Sequence, residues 1–221
     1  MIDTLLSYIA PHLCFGCGKT GALLCDNCKY NITEEISDAC ITCGAPAGVA
    51  GICGLCTVPY DRAWHLGERT AVIRRLVDAY KFENVYDAHT ILADLLAVRL
   101  GTLPSSTILV PIPTIGTHIR QRGYDHTLLL AKRLAKRQNV SVSPLLKRQQ
   151  NTMQRGASKQ KRVEQAKKAY IVNEKLDKTK DYLIIDDILT TGATIFSAAK
   201  ALKDAGAQHV WAAVIARQPL D

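Results

Sequence analysis

The sequence predicts an α/β protein: a parallel β-sheet with helices on both faces, preceded by a small cysteine-rich, metal-binding head. Three observations carry this. Apolar, β-branched runs alternate with segments of helical period, the pattern of a parallel sheet covered on both sides. All eight cysteines precede residue 57, in four Cys-x-x-Cys pairs. An apolar run at 182–185 leads into Asp186 and Asp187, then a turn rich in Thr and Gly, then a helix-like stretch. The expected division is a head over 1–58 and an α/β domain over 59–221.

The head opens with a short amphipathic helix over 2–10. The pairs Cys14/Cys17, Cys25/Cys28, Cys40/Cys43 and Cys53/Cys56 follow. A Cys-x-x-Cys knuckle brings two thiolates to one ion, and two knuckles complete a tetrahedral S₄ site. Eight thiolates match two Zn²⁺ ions, with the knuckles paired in sequence or interleaved. With no secretion signal a disulfide framework is disfavoured, and the spacing differs from that of iron–sulfur clusters. Four protein ligands per ion make the sites closed and structural, and binding should be coupled to folding.

After a linker at 57–60, a strand is expected over 63–68. Thr70 then caps a helix whose apolar positions Val72, Ile73, Leu76, Val77 and Tyr80 recur at helical spacing. A second helix carries Ile91, Leu92, Leu95, Leu96 and Val98. The run 107–113 reads as a buried strand ended by prolines. A helix over 124–136 follows, and the chain closes with a strand at 182–185, a helix over 195–205 and a strand at 210–215.

Charge is unevenly placed. Residues 1–60 carry two lysines against five acids, whereas residues 118–168 carry fourteen Lys/Arg against Asp125 and Glu164. That block, at +12, exceeds the net +8 of the whole chain. It suits a polyphosphate or nucleic acid, or else a solvated helix face. Tyr124 is its sole aromatic residue, so no base-stacking platform is visible there. No apolar run reaches the length of a membrane span and no signal-peptide pattern opens the chain, so a cytoplasmic location is expected.

The segment Asp186-Asp187-Ile188-Leu189-Thr190-Thr191-Gly192-Ala193-Thr194 is the most informative stretch. Ligands of open α/β sheets bind at the carboxyl ends of strands. A Thr/Gly turn at a helix start offers backbone N–H groups to an anion, and the helix dipole favours negative charge there. Carboxylates beside such a cradle suit sugar hydroxyls, or a Mg²⁺ ion held with them. Together they describe a sugar phosphate. No Gly-Lys-Ser/Thr follows, which excludes a Walker-type loop.

This segment resembles the phosphoribosyl-pyrophosphate (PRPP) motif of type I phosphoribosyltransferases. The resemblance implies that Asp186 and Asp187 face the ribose hydroxyls and that Thr190, Thr191, Gly192, Ala193 and Thr194 wrap the 5′-phosphate. Three further segments resemble the ComF family of competence-associated proteins: Val110-Pro111-Ile112-Pro113 followed by Arg120 and Arg122-Gly123-Tyr124; Ala79-Tyr80-Lys81-Phe82, which fits a Lys-containing loop; and the cysteine head, which is similar to that family's double zinc ribbon. The implied fold is a type I phosphoribosyltransferase-like sheet behind a zinc-ribbon head. Lys81 would serve the pyrophosphate side, Arg120 and Arg122 would clamp phosphate oxygens, and Mg²⁺ would accompany PRPP.

Two departures stand out. Asp125 and His126 occupy positions where the family carries Asn and Gln, and Ala166 lies near an expected Asn, although Gln154 and Arg162 fit. These leave the PRPP contacts in place and bear on any second substrate. Gln154, Arg155, Lys159, Lys161 and Arg162 form a polar stretch suited to a lid. His118 and His126 have no partner identifiable in the sequence and receive no role. Family resemblance implies a part in DNA uptake during transformation, with single-stranded DNA and uptake machinery as partners. The other readings are a nucleobase phosphoribosyltransferase of salvage and a non-catalytic PRPP sensor or assembly module.

Overall fold

A computed structural model describes residues 12–34, 39–68, 71–83, 85–149 and 169–219. The expected helix over 2–10, the Thr70 cap and the polar stretch 154–162 lie outside the described residues. Among the described residues there are seven strands: β1 (Arg62–Glu68), β2 (Thr107–Pro111), β3 (Ser141–Val142), β4 (Lys147–Arg148), β5 (Tyr170–Ile171), β6 (Asp181–Leu189) and β7 (His209–Arg217). The same residues form six α-helices: α1 (Asp26–Glu34), α2 (Ala71–Phe82), α3 (Ala88–Leu100), α4 (Gly116–Arg122), α5 (His126–Gln138) and α6 (Ala193–Asp204).

Five strands form a parallel sheet in the order β1-β7-β6-β2-β3. β4 and β5 pair antiparallel as a separate two-stranded piece. The central strands are buried on both faces, which is why they read as near-continuous apolar runs. Their side chains divide by the two-residue period of a strand. Leu183, Ile185, Trp211, Ala213 and Ile215 pack with α2, α3 and α5. Tyr182, Ile184, Val210, Ala212 and Val214 pack with α6, together with Leu146 and Tyr170.

Local sequence sets the element ends. The Asp125 side chain accepts the Leu128 N–H at 3.1 Å and caps α5, and Asn139 (φ 54°) stops that helix in the left-handed region. Leu130, Ala131, Leu134 and Ala135 form its buried stripe. α3 is buried over most of its length, packed against α1, α2, α5 and β1.

Several boundaries differ from the expectation. β2 ends at Pro111 rather than 113. β6 runs on through both acids to Leu189, because β7 supplies a parallel partner as far as Arg217. α4 was not expected: it is seven residues long, starts without a side-chain cap and buries none of its residues, so it leaves no periodic signal. The Lys81 region is the last turn of α2 rather than a loop.

The head has two similar halves. The N–H of Cys14 donates to the Lys19 carbonyl and that of Gly18 to Cys14; the N–H of Cys40 donates to Ala45 and that of Gly44 to Cys40. The halves sit on opposite faces of edge strand β1. Cys14, Leu24, Cys28 and Ile32 join the cluster that contains Leu66. Ile41 joins the one that contains Tyr60 and Ala63. The second half meets β1 at Gly51 (φ 66°), where a Cβ would lie 1.8 Å from the Ala63 carbonyl oxygen. Only glycine permits that approach.

Candidate functional site

β2 connects outward to β3, whereas β6 and β7 lie on its other side. α5 covers one face and α6 the other. The order therefore reverses between β2 and β6, and the carboxyl ends there open a crevice, the usual ligand position in such sheets. A cavity of about 180 Å³ occupies it. The segment after β2 (Ile112, Pro113, Thr114, Ile115), His118 of α4, His126 and Thr127 of α5, Arg148, Tyr170, Asp186 and Thr194 line it.

The walls are held by polar contacts. Thr114 Oγ1 donates to Asp125 at 2.8 Å, and Thr127 Oγ1 donates to the Ile112 carbonyl at 2.6 Å, tying the segment after β2 to the start of α5. The Tyr80 hydroxyl donates to the His126 carbonyl at 2.8 Å, so the end of α2 is pinned to α5. Tyr124 stacks on Tyr80 and donates to its carbonyl oxygen. On the far wall Arg148 donates to the Tyr170 hydroxyl at 3.1 Å and lies over that ring at 5.4 Å.

The two carboxylates have different surroundings. Asp186 faces the cavity, and its Oδ1 accepts the Asp187 N–H at 2.9 Å. Burial, then the charge on Asp187, push its carboxyl up to about 8. Asp187 Oδ2 lies 2.6 Å from Lys81 Nζ and 2.6 Å from His126 Nε2. Burial pushes this carboxyl up too, but His126 and Lys81 outweigh it and hold the group down at about 2. His126 Nδ1 lies 3.1 Å from Arg122 Nη1 and 3.1 Å from Thr114 Oγ1.

Gly192 (φ 76°) makes the turn into α6, which begins without a side-chain cap. The Ala193 N–H donates to Thr191 Oγ1 at 3.4 Å; the other N–H groups of the first turn, and the exposed Thr190 and Thr194, are open to a ligand. An anion would find these donors, and hydroxyls would find Asp186.

The structure thus brings Asp186 and Thr194 to one cavity, with Lys81, Arg122 and Asp187 linked behind it through His126. Arg120, exposed in the last turn of α4, does not line the cavity. The sequence reading missed His118, His126, Arg148 and Tyr170. His126 had a signal, because with Asp125 it departs from the resembled pattern just after Arg122-Gly123-Tyr124. Arg148 and Tyr170 sit on two-residue strands that carry no periodicity.

The cysteines form two groups in sequential order: Cys14, Cys17, Cys25 and Cys28, and Cys40, Cys43, Cys53 and Cys56, each with its sulfurs within 4.8 Å of one another. A tetrahedral ion with metal–sulfur bonds of about 2.3 Å sets sulfurs about 3.8 Å apart. The Cys17–Cys25 and Cys43–Cys53 separations are 3.7 and 3.5 Å. Burial raises the Cys14 and Cys40 thiols, but backbone N–H groups aimed at them win and bring both down to about 6. Cys28 and Cys56 are pushed up to about 12, first by sharing hydrogens with Cys25 and Cys53. Four such thiols ionise together only around a cation, and the donor set fits Zn²⁺.

Residues 126–221 match the model of the phosphoribosyl transferase domain family. Among solved structures the chain is similar to the allosteric regulatory enzyme of purine biosynthesis (17% identity, 59% of this chain and 26% of that one, TM-score 0.43). It is similar to glutamine PRPP amidotransferase from B. subtilis complexed with ADP and GMP (16% identity, 59% and 26%, TM-score 0.42). A third is Leishmania donovani UMP synthase (18% identity, 63% and 22%, TM-score 0.34). The chain spans about a quarter of the length of these proteins. No curated protein matches the sequence. Among the described residues no helix is long and apolar enough to cross a membrane.

Proposed function

We propose that this chain binds PRPP with Mg²⁺ at the corner between β6 and α6, and acts in DNA uptake as a ComF-like protein. The observation that carries the PRPP reading is the meeting, at the sheet's reversal point, of Asp186 and the uncapped start of α6 in one cavity. The match of residues 126–221 to the phosphoribosyl transferase family supports it. Asp186 takes ribose hydroxyls, and Thr190 to Thr194 surround the 5′-phosphate with N–H and hydroxyl donors. Lys81 and Arg122 add positive charge behind the site. The oxygen-only donors of Asp186 and the threonines fit a hard cation, and Mg²⁺ would neutralise the pyrophosphate.

Two Zn²⁺ ions hold the head, one per cysteine group. The basic block 118–168 meets single-stranded DNA; Lys132, Lys136, Lys147 and Arg148 within it are exposed. Calorimetry of the zinc-loaded protein with PRPP and Mg²⁺ tests the first part. Saturable binding of one PRPP per chain is expected, and absence of binding refutes it. Single-stranded DNA should bind with steep salt dependence; no binding at low salt would remove the DNA role alone.

A further inference from the structure

Consecutive residues of a strand point to opposite faces. β6 extends through both acids, so Asp186 and Asp187 leave the strand in opposite directions. Asp186 emerges on the α6 side, where Tyr170, Arg148 and Thr194 line the cavity with it. Asp187 emerges on the side of α2 and α5, where Lys81 and His126 both approach its Oδ2 at 2.6 Å.

His126 is what makes this arrangement specific. It is buried, at 8% exposure, and is held at both ring nitrogens. Arg122 has only donors to offer, so Nδ1 accepts, and the ring N–H sits at Nε2, the atom that lies 2.6 Å from Asp187 Oδ2. The Tyr80 hydroxyl fixes the backbone of the same residue. Asp187 Oδ2 is therefore flanked by an ammonium group and an imidazole nitrogen, each at 2.6 Å, and a ligand hydroxyl could reach that oxygen only by displacing one of them.

We propose that His126 is a positioning residue: it locks Asp187 as an internal anchor for Lys81 and leaves Asp186 as the carboxylate that takes the sugar hydroxyls. This rests on the sugar-phosphate reading above and divides what the motif assigns to both acids. The two carboxylates are not equivalent. One binds ligand, and the other holds the cation that flanks the ligand.

The test is calorimetric titration of the zinc-loaded full chain with ribose 5-phosphate, which carries the hydroxyls and the 5′-phosphate without pyrophosphate. At a pH above about 8, where its carboxyl is ionised, Asp186→Asn should weaken binding about tenfold or more, the value of a hydrogen bond to a charged group. The double variant Lys81→Met/Asp187→Asn, which removes both members of the buried pair and so avoids an isolated charge, should weaken it no more than about threefold. With PRPP and Mg²⁺ in place of ribose 5-phosphate, where the Lys81 cation serves the pyrophosphate, His126→Ala should weaken binding measurably, and His126→Gln should restore most of the loss; no loss in His126→Ala overturns the positioning role. Imidazole ¹⁵N NMR should show the Nε2–H tautomer of His126. Equal losses in the Asp186 and Lys81/Asp187 variants, or an Nδ1–H tautomer, overturn the assignment while the sugar-phosphate site stands. Absence of both ribose 5-phosphate and PRPP binding by the wild type overturns that site as well.

Discussion

Asp186→Asn should make the ligand-free protein more stable, and increasingly so as the pH rises. The Asp186 carboxyl is buried beside the ionised Asp187, and burial and that charge push it from an ordinary 3.8 up to about 8. Between those values the folded state holds a proton that the unfolded chain has lost. Stability therefore falls with rising pH by about 1.36 kcal/mol per unit. From about pH 5.5 to 7 the cost is about 2 kcal/mol. Asparagine has no proton to lose, and its side-chain oxygen can still accept the Asp187 N–H that Asp186 accepts at 2.9 Å. The assay is urea unfolding of zinc-loaded wild type and variant in magnesium-free buffer at both pH values. The difference between them should widen by about 2 kcal/mol in favour of the variant. A constant difference, or one that narrows, would show that Asp186 is ionised in the free protein and would refute the reasoning. The expected outcome, paired with weaker sugar-phosphate binding, marks a residue kept for its ligand at the expense of the fold.

Gly51→Ala should cost roughly 2–4 kcal/mol, combining the left-handed backbone penalty with the collision at the Ala63 carbonyl. Gly48→Ala has a similar φ (59°) but open space around its Cβ, so it should cost only about 1–2 kcal/mol. Equal losses in thermal unfolding would contradict the contact. Elemental analysis should find about two zinc ions per chain. Chelation should red-shift the tryptophan emission, because Trp64 is half-buried in the cluster that the first cysteine group joins. Emission unchanged after complete metal removal would count against a metal-dependent head.

The parts of the fold legible in the sequence were those with a strong local signal. The apolar runs of β2, β6 and β7 announce buried parallel strands, and the four cysteine pairs announce metal knuckles. What escaped depends on distance along the chain. Nothing near residue 187 tells that Lys81 and His126 converge on it. The motif names both acids, but their separation onto two faces follows from β6 continuing to Leu189, and that extension is set by pairing with β7. α4, β3, β4 and β5 are too short for period-based reading. The knuckle pairing was open in the sequence, and the structure decides it as sequential.

The head's grip on β1 has a consequence for what metal loss does. Among the described residues β1 is the outermost strand on its side of the sheet, with β7 as its one neighbour there. Such a margin carries backbone donors and acceptors that other chains can join. Here the two cysteine units straddle it and act as a guard rail. Stripping the metal would unguard that rim, so starvation for zinc should reveal itself first as chains sticking together, visible as light scattering before any helix is lost.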